Sequence, residues 1–254
     1  MASTGRPLGI DIGGSGIKGA PVDLEAGDLA QPRLKILTPK PATPDAVAEV
    51  VDQIVDHFAD ATGDSPIGVT VPAVVIHGTV LSAANIDPSW LNTDAEALIK
   101  EHTGREVTVL NDADAAGLAE LHYGAARGVN GLVILTTLGT GIGSALMYAG
   151  KLVPNSELGH LEIDGHDAED RAASSVKDAE DLSWKAYVER LQVYYNTIEK
   201  LFSPDLIVVG GGISKDSEKF LPKLKLRCPI VPAQLRNQAG IVGAARLAVD
   251  LSKS

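Results

Sequence analysis

Cysteine is almost missing from this chain: 254 residues hold one, Cys228. No internal disulfide can form, which fits a reducing compartment and excludes the disulfide-stapled secreted class. Aromatic residues make up 4%, so Val, Ile, Leu and Ala must build the core. No run approaches the roughly 18 apolar residues of a membrane helix. The residues before the first apolar run are too few for a signal peptide, and no N-x-[ST] glycosylation acceptor occurs. Basic residues are outnumbered, 22 against 33 acidic, for a formal charge of −11. Such a surface repels nucleic acid and anionic membrane on average. The G-x-x-x-x-G-K-[ST] signature is absent, which disfavours the P-loop class. These absences lead to the expectation of a cytoplasmic protein with neither nucleic acid nor membrane as partner.

What is present is ordinary globular material, with 44% hydrophobic and 22% charged residues. The length suits one large domain or two lobes. Leu8 to Ile12 is an apolar run stopped by Gly13-Gly14, read as a buried strand ending in a tight turn, with a return strand over Ile17 to Leu24. Further strands are expected at Leu34 to Leu37, Ile67 to Val71, Val107 to Leu110, Gly131 to Thr137, Ser144 to Tyr148, Leu206 to Val209 and Ile230-Val231, with a β excursion over Val74 to Leu81. Helical spacing marks residues from Thr43 or Asp45 to Phe58, Thr93 to His102, about Asp112 to Tyr123, Asp181 to Leu201, a segment from about Lys215, and Ala239 to Leu251. The stretch from Gly165 to Lys177 reads as a polar loop. A glycine-rich hairpin opens the pattern twice, near Asp11 and near Gly139, which points to two similar lobes, each a mixed sheet with helices on its faces.

Gly14-Ser15-Gly16-Ile17-Lys18-Gly19 fits G-x-G-x-x-G. A dinucleotide fold needs a helix directly after those glycines. Here Ala20 to Leu24 looks like a strand, so the hairpin reading wins over a nicotinamide enzyme. In a hairpin, Gly13, Gly14 and Gly16 let backbone N–H groups approach phosphate oxygens, Ser15 adds a hydroxyl and Lys18 a charge. Asp11, at the strand end, is the candidate ligand of Mg²⁺ through water. A plain glycine turn is the competing reading. Thr137, Gly139, Thr140 and Gly141 repeat the device, and two such hairpins suit a phosphate chain held from both sides. Gly211 and Gly212 close a strand ahead of a helix, where a phosphate can rest on the helix N-terminus, or where strand and helix merely cross closely.

Asn111-Asp112 lies at the carboxyl end of a strand, where ligands of α/β sheets bind. Asp112 there can accept a proton from an attacking hydroxyl, or can cap the helix it opens. Glu157 and His160, in Glu157-Leu158-Gly159-His160, can hydrogen-bond paired sugar hydroxyls. A surface turn or two metal ligands are the alternatives. Asn85 is a candidate for the sugar pocket or an ordinary loop residue.

Taken in order, Asp11-Ile12-Gly13-Gly14-Ser15, Asn111-Asp112-Ala113, Leu138 to Gly143, Glu157-Leu158-Gly159-His160 and Gly210-Gly211-Gly212 resemble the repressor/open-reading-frame/kinase (ROK) family of sugar kinases, over nearly the whole chain. Glu169 to Lys177 and Asn237 to Ala245 are similar to its bacterial polyphosphate glucokinase branch, including the polyphosphate/ATP glucomannokinase type. The resemblance implies an α/β, actin-like and hexokinase-like (ribonuclease H-like) fold of two lobes, mixed sheets flanked by helices, with the sugar cleft between lobes. Residues 1–110 would form the N-terminal lobe, joined by a closing helix at 239–254, and residues 111–238 the C-terminal lobe. It implies Asp112 as the base on the sugar 6-hydroxyl, and Asn85, Asn111, Asp112, Glu157 and His160 as sugar contacts. It further implies one glutamate after the histidine as a sugar contact, for which Glu169 and Glu180 are the candidates, Glu169 being taken here. The implied partners are glucose, with mannose as a second hexose, inorganic polyphosphate and ATP. The implied cofactor is Mg²⁺, and the implied assembly a homodimer.

Many family members carry a cysteine-rich zinc site after this histidine. No cysteine lies between His160 and Cys228 here, and His160 with His166 cannot close a tetrahedral site, so zinc is not expected. A polyphosphate donor also needs cations beside the hairpins, for which Lys18, Lys151, Arg171, Lys177, Lys215 and Arg236 are candidates. The rival readings are a strictly ATP-dependent hexokinase, a non-catalytic sugar-binding module and a sugar-responsive repressor. The last is disfavoured by the acidic charge and by the lack of room for a helix-turn-helix before Asp11.

Overall fold

The computed structural model describes residues 5–83 and 86–253. The chain forms two compact units, Met1–Ala119 with Gln238–Ser254, and Glu120–Asn237.

In the first unit, β1 (Leu8–Gly13) and β2 (Gly16–Asp23) form an antiparallel hairpin with Gly13 opposite Gly16. β3 (Asp28–Leu29) and β4 (Leu34–Ile36) both add to β2. Helix α1 (Pro44–His57) follows, with the short α2 (Ala59–Thr62) behind it. The α1 residues Val47, Val50, Val51, Ile54 and Val55 recur at helical spacing and all are buried, so one stripe faces the sheet. β5 (Ile67–Val71) then returns parallel to β1. A small hairpin, β6 (Val75–Ile76) and β7 (Thr79–Val80), precedes α3 (Ala95–Thr103), whose start is capped by Asp94 accepting the Ala97 N–H at 2.9 Å. β8 (Val107–Asn111) joins parallel to β5, and α4 (Asp112–Tyr123) begins with no intervening loop. The border between the two units falls inside α4, after Ala119.

The second unit repeats the plan. β9 (Leu132–Leu138) and β10 (Ile142–Tyr148) make its antiparallel hairpin, and β11 (Lys151–Val153) adds to β10. A small hairpin of β12 (Glu162–Ile163) and β13 (His166–Asp167) turns through Asp164 and Gly165, at φ 53° and 77°. Two positive φ values at the turn centre define the type I′ geometry that Asp-Gly favours. Then come α5 (Glu169–Ala172), α6 (Ser174–Ala179) and the long α7 (Trp184–Phe202). Tyr187, Leu191, Tyr194, Tyr195 and Ile198 of α7 are buried and pack in one cluster with Ile134, Ile207 and Val209 of the sheet. The scarce aromatics are thus concentrated where one helix covers one sheet. β14 (Leu206–Gly210) pairs parallel with β9, and β15 (Ile230–Pro232) with β14.

The last helix, α8 (Ala239–Leu251), returns to the first unit and packs on β1 and β5. Its approach is so close that a Cβ on Gly9 would collide with the Ile241 carbonyl, and one on Gly68 with that of Ala244.

Two expectations are corrected. The stretch from Gly165 to Lys177 is not a loop but carries all of β13, all of α5 and most of α6. Helices of four and six residues are too short to display a 3.6-residue period. The segment after Gly212 is a 3₁₀ helix over Gly212–Lys219, broken by non-helical angles at Asp216, rather than an α-helix from Lys215. The helix N-terminus that follows the glycines is therefore that of a 3₁₀ segment beginning at Gly212 itself.

Candidate active site

In the first unit the carboxyl ends of β1, β5 and β8 lie side by side, with Asp11 opposite Thr70 and Val71 opposite Asn111. Asp11 is thereby held at the sheet edge. Its Oδ1 accepts the Thr70 hydroxyl at 3.0 Å, and its Oδ2 meets Lys18 Nζ at 3.4 Å. Lys18 is Asp11's partner across the β1–β2 ladder, so the hairpin pairs the candidate metal ligand with the candidate phosphate cation. Gly14 and Ser15 form the exposed tip, and the Thr38 hydroxyl fastens the Gly13 carbonyl from outside.

Asn111 is buried and its amide is engaged at both ends. Nδ2 donates to the Ala73 carbonyl at 3.1 Å, and Oδ1 accepts the N–H groups of Ala113 and Asp114 at 2.8 and 3.1 Å. It is the cap of α4. Asp112, half-buried, stands at the first position of that helix, its Oδ1 2.8 Å from the Ala113 N–H. Asn85 lies outside the described residues.

In the second unit, the parallel pairing of β9 with β14 sets Thr137 beside Gly210. The loop Gly139-Thr140-Gly141 and the glycines at 211 and 212 therefore leave the sheet on one edge. Ser174 Oγ donates to the Gly139 carbonyl at 3.0 Å, and the Ser175 hydroxyl to that of Thr140. The start of α6 thus braces the loop. Between them opens a cleft of about 490 Å³, lined among others by Gly139, Thr140, Lys177, Trp184, Gly212 and Lys215. Lys177 Nζ lies 4.8 Å from the centre of the Trp184 ring and Lys219 Nζ 5.5 Å from it. Two of the six candidate cations, Lys177 and Lys215, line this cleft. Asp178 and Asp216 line it as well.

The same unit gathers four titratable groups on the segment after β11. Glu157 precedes a single 3₁₀ turn, Leu158–His160. His160 Nδ1 is 2.9 Å from Asp167 Oδ2 and 4.0 Å from Glu169 Oε1. Glu169 Oε2 accepts the Ile142 N–H at 2.9 Å. A Cβ on Gly141 would collide with that carboxylate, and one on Gly159 with the Ile142 carbonyl, so neither place has room for a side chain. The hydrogen bond that His160 makes to Asp167 chiefly lifts the imidazole above its usual value near 6.5, with the charges of Glu169, Asp167 and Glu157 adding to it against burial. Glu157 is exposed as a residue, and partial burial of its carboxyl is the chief cause that pushes its pKa up. Glu180, the other candidate, is engaged elsewhere, its carboxylate forked on Arg190.

The groups that sequence reasoning missed are Thr70, Asp167, Ser174, Ser175 and Trp184. Only Asp167 had a usable signal, the Asp164-Gly165 turn that folds it back toward His160.

A model of the ROK family matches residues 7–171. The chain belongs to the ROK family. The polyphosphate glucokinase of Mycobacterium tuberculosis is 52% identical over 243 residues, covering 95% of this chain and 91% of that protein. The solved inorganic polyphosphate/ATP-glucomannokinase from Arthrobacter sp. strain KM is 56% identical, with a TM-score of 0.93 over 98% of this chain and 100% of that one. A ROK family glucokinase from Streptomyces griseus, solved with glucose and AMPPNP, shares the fold at 24% identity and a TM-score of 0.83, over 97% and 100% of the two chains. The actin-like, hexokinase-like α/β fold expected from the sequence is the fold of this chain, and the resemblance to the polyphosphate-using branch holds.

Proposed function

We propose that this chain is a glucokinase that transfers a phosphoryl group from inorganic polyphosphate, or from ATP, to the 6-hydroxyl of glucose, with mannose as a second acceptor. The observation that carries the reading is the cleft in the second unit. It joins the Gly139-Thr140 loop to Gly212, and Lys177 and Lys215 line it. Backbone N–H groups and cations suit a chain of phosphates, which has no base to recognise. Trp184 lines the same cleft with Lys177 and Lys219 against its ring, an aromatic and cationic corner that suits ATP.

In this reading Glu157, His160 and Glu169 bind sugar hydroxyls, with Asn85 and Asn111 as further contacts. Asp112 accepts the proton of the 6-hydroxyl. The sugar oxygen attacks the terminal phosphorus in line, its bond to the bridging oxygen breaks, and the shortened polyphosphate or ADP leaves. No covalent enzyme intermediate forms, so the protein contributes positioning and charge stabilisation. The loops at Gly13 to Gly16 and Thr137 to Gly141, with Lys18, hold the phosphates.

Among the described residues no three of His, Cys, Asp and Glu are grouped to hold a metal ion. Mg²⁺ does not require such a cage, being held by one or two carboxylates together with substrate phosphates. Asp11, fixed by Thr70 and Lys18, offers a hard oxygen of that kind. When bound there, Mg²⁺ neutralises charge on the phosphate oxygens.

Among the described residues no helix is long and apolar enough to cross a membrane. The single cysteine suits a reducing, cytoplasmic setting, and the family resemblance supports a homodimer, which light scattering tests. The decisive assay supplies glucose and Mg²⁺ with either ATP-free polyphosphate or ATP. Glucose 6-phosphate from both donors is expected. Product from ATP alone would leave a strictly ATP-dependent hexokinase, and product from neither a sugar-binding module.

A further inference from the structure

His160 lies on a single 3₁₀ turn, and its side chain is 45% exposed. Nothing in so short a turn fixes the rotation of an imidazole, yet hydrogen-bonding a sugar hydroxyl demands a fixed ring. Three carboxylates surround it: Glu157 on its own segment, Asp167 at the end of β13, and Glu169 at the start of α5. Glu169 cannot hold Nδ1, because its Oε2 is fastened to the Ile142 N–H and its Oε1 stays 4.0 Å away, beyond hydrogen-bond reach. Asp167 reaches it at 2.9 Å.

The backbone beneath Asp167 is anchored as well. Asp167 pairs with Glu162 in the β12–β13 ladder, and the next residue, Ala168, donates its N–H to the Leu161 carbonyl at 3.0 Å. The Asp164-Gly165 turn sets that register, so a carboxylate seven residues after His160 returns to its ring.

We propose that Asp167 is the positioning residue of the sugar site, holding Nδ1 of His160 so that Nε2 faces the hexose. The inference rests on the reading of His160 as a sugar contact. A neutral ring that donates Nδ1–H to Asp167 offers the Nε2 lone pair to a sugar hydroxyl hydrogen. A protonated ring keeps the same orientation and offers Nε2–H to a hydroxyl oxygen instead. In both states the second nitrogen is aimed by the first one's bond, as an outer carboxylate orients a ligating histidine in metal sites.

The test compares the full-length wild type with His160→Ala, Asp167→Ala and Asp167→Asn, with Tm reporting the integrity of the fold. His160→Ala is expected to raise the glucose KM and leave the polyphosphate KM in place. Asp167→Ala is expected to raise the glucose KM roughly tenfold, the scale of one charge-assisted hydrogen bond, again without moving the polyphosphate KM. Asp167→Asn keeps an oxygen that accepts Nδ1–H and is expected to recover most of the loss. Nitrogen-15 spectra of neutral His160 are expected to show the Nδ1–H tautomer in the wild type and in Asp167→Asn. If Asp167→Ala is folded, its Nε2–H form should grow.

A normal glucose KM in folded Asp167→Ala, beside a raised one in His160→Ala, overturns the positioning role alone. Equal shifts of both substrates' KM in Asp167→Ala overturn it too, since they mark a structural role. Should Asp167→Ala fail to fold, an Nε2–H tautomer in the wild type is sufficient to overturn it. A normal glucose KM in His160→Ala overturns the sugar-contact reading, and the inference with it.

Discussion

Glu169 is bonded to the backbone of Ile142: its Oε2 accepts that N–H at 2.9 Å, while its Oε1 lies 4.0 Å from His160. One carboxylate therefore spans the root of the second glycine loop and the histidine of the proposed sugar site. Glu169→Ala is expected to raise the KM of both glucose and polyphosphate, because it removes a sugar contact and also frees the loop that follows β9. His160→Ala should raise only that of glucose. Steady-state kinetics with each substrate varied in turn separates the two patterns, and a Glu169→Ala enzyme with a normal donor KM would break the link.

Asp112 opens α4 at the carboxyl end of β8. As general base its replacement by Asn should lower kcat by about 10²–10⁴-fold. Glucose binding, measured by calorimetry, should change far less, because an Asn side chain still hydrogen-bonds a hydroxyl. Near-normal turnover in a folded Asp112→Asn enzyme would remove it from the mechanism.

Lys177 and Lys215 line the cleft proposed for the phosphoryl donor, whereas Lys151 is exposed on strand β11. Lys177→Ala and Lys215→Ala are each expected to weaken polyphosphate use more than ATP use, with Lys151→Ala as a neutral control. Polyphosphate KM should also climb more steeply with added salt, because more phosphate charges contact cations. Equal salt slopes for the two donors would argue against a polyphosphate track in this cleft.

The His160–Asp167 pair carries a pH signature. Asp167 raises the imidazole pKa of the folded state above about 6.5. A raised folded value means that the stabilisation is complete at pH below the unfolded value and is lost as pH rises through the folded one. The gap in Tm between the wild type and Asp167→Asn should therefore be widest near pH ~5.5 and close by pH ~8.5, either side of the ordinary histidine range. The gap should be small, because both side chains are 45% exposed and surface pairs are weak. A gap that widens with rising pH would contradict the assignment.

The repeated plan was legible because each unit opens with an apolar strand, a glycine turn and a second strand, and an apolar run that short, closed by glycine, suits a buried strand rather than a helix. β8 and α4 were legible for the same kind of reason, since Asn111-Asp112 ends one pattern and starts another. What escaped the sequence depends on contacts distant along the chain. Ser174 and Ser175 look like ordinary polar residues until their hydroxyls are seen on carbonyls of the Gly139-Thr140 loop. Glu169 and Glu180 look alike in sequence, and only long-range contacts distinguish them: Glu169 lies beside His160, whereas Glu180 pairs with Arg190. The 3₁₀ segment after Gly212 has helical composition, but its angles break at Asp216.

Gly9 and Gly68 leave a face of the first sheet bare for α8, which is the last helix of the chain. The order of synthesis therefore runs against the order of completion. A ribosome delivers β1 to β8 early, then makes the whole of Glu120–Asn237 before it reaches the helix that seals them. The second unit, contiguous in sequence, can close while the first still waits. Nascent chains arrested ahead of α8 should thus be cut by protease within residues 5–119 and spared within 120–237, and chaperones should engage the part of the protein that emerged first.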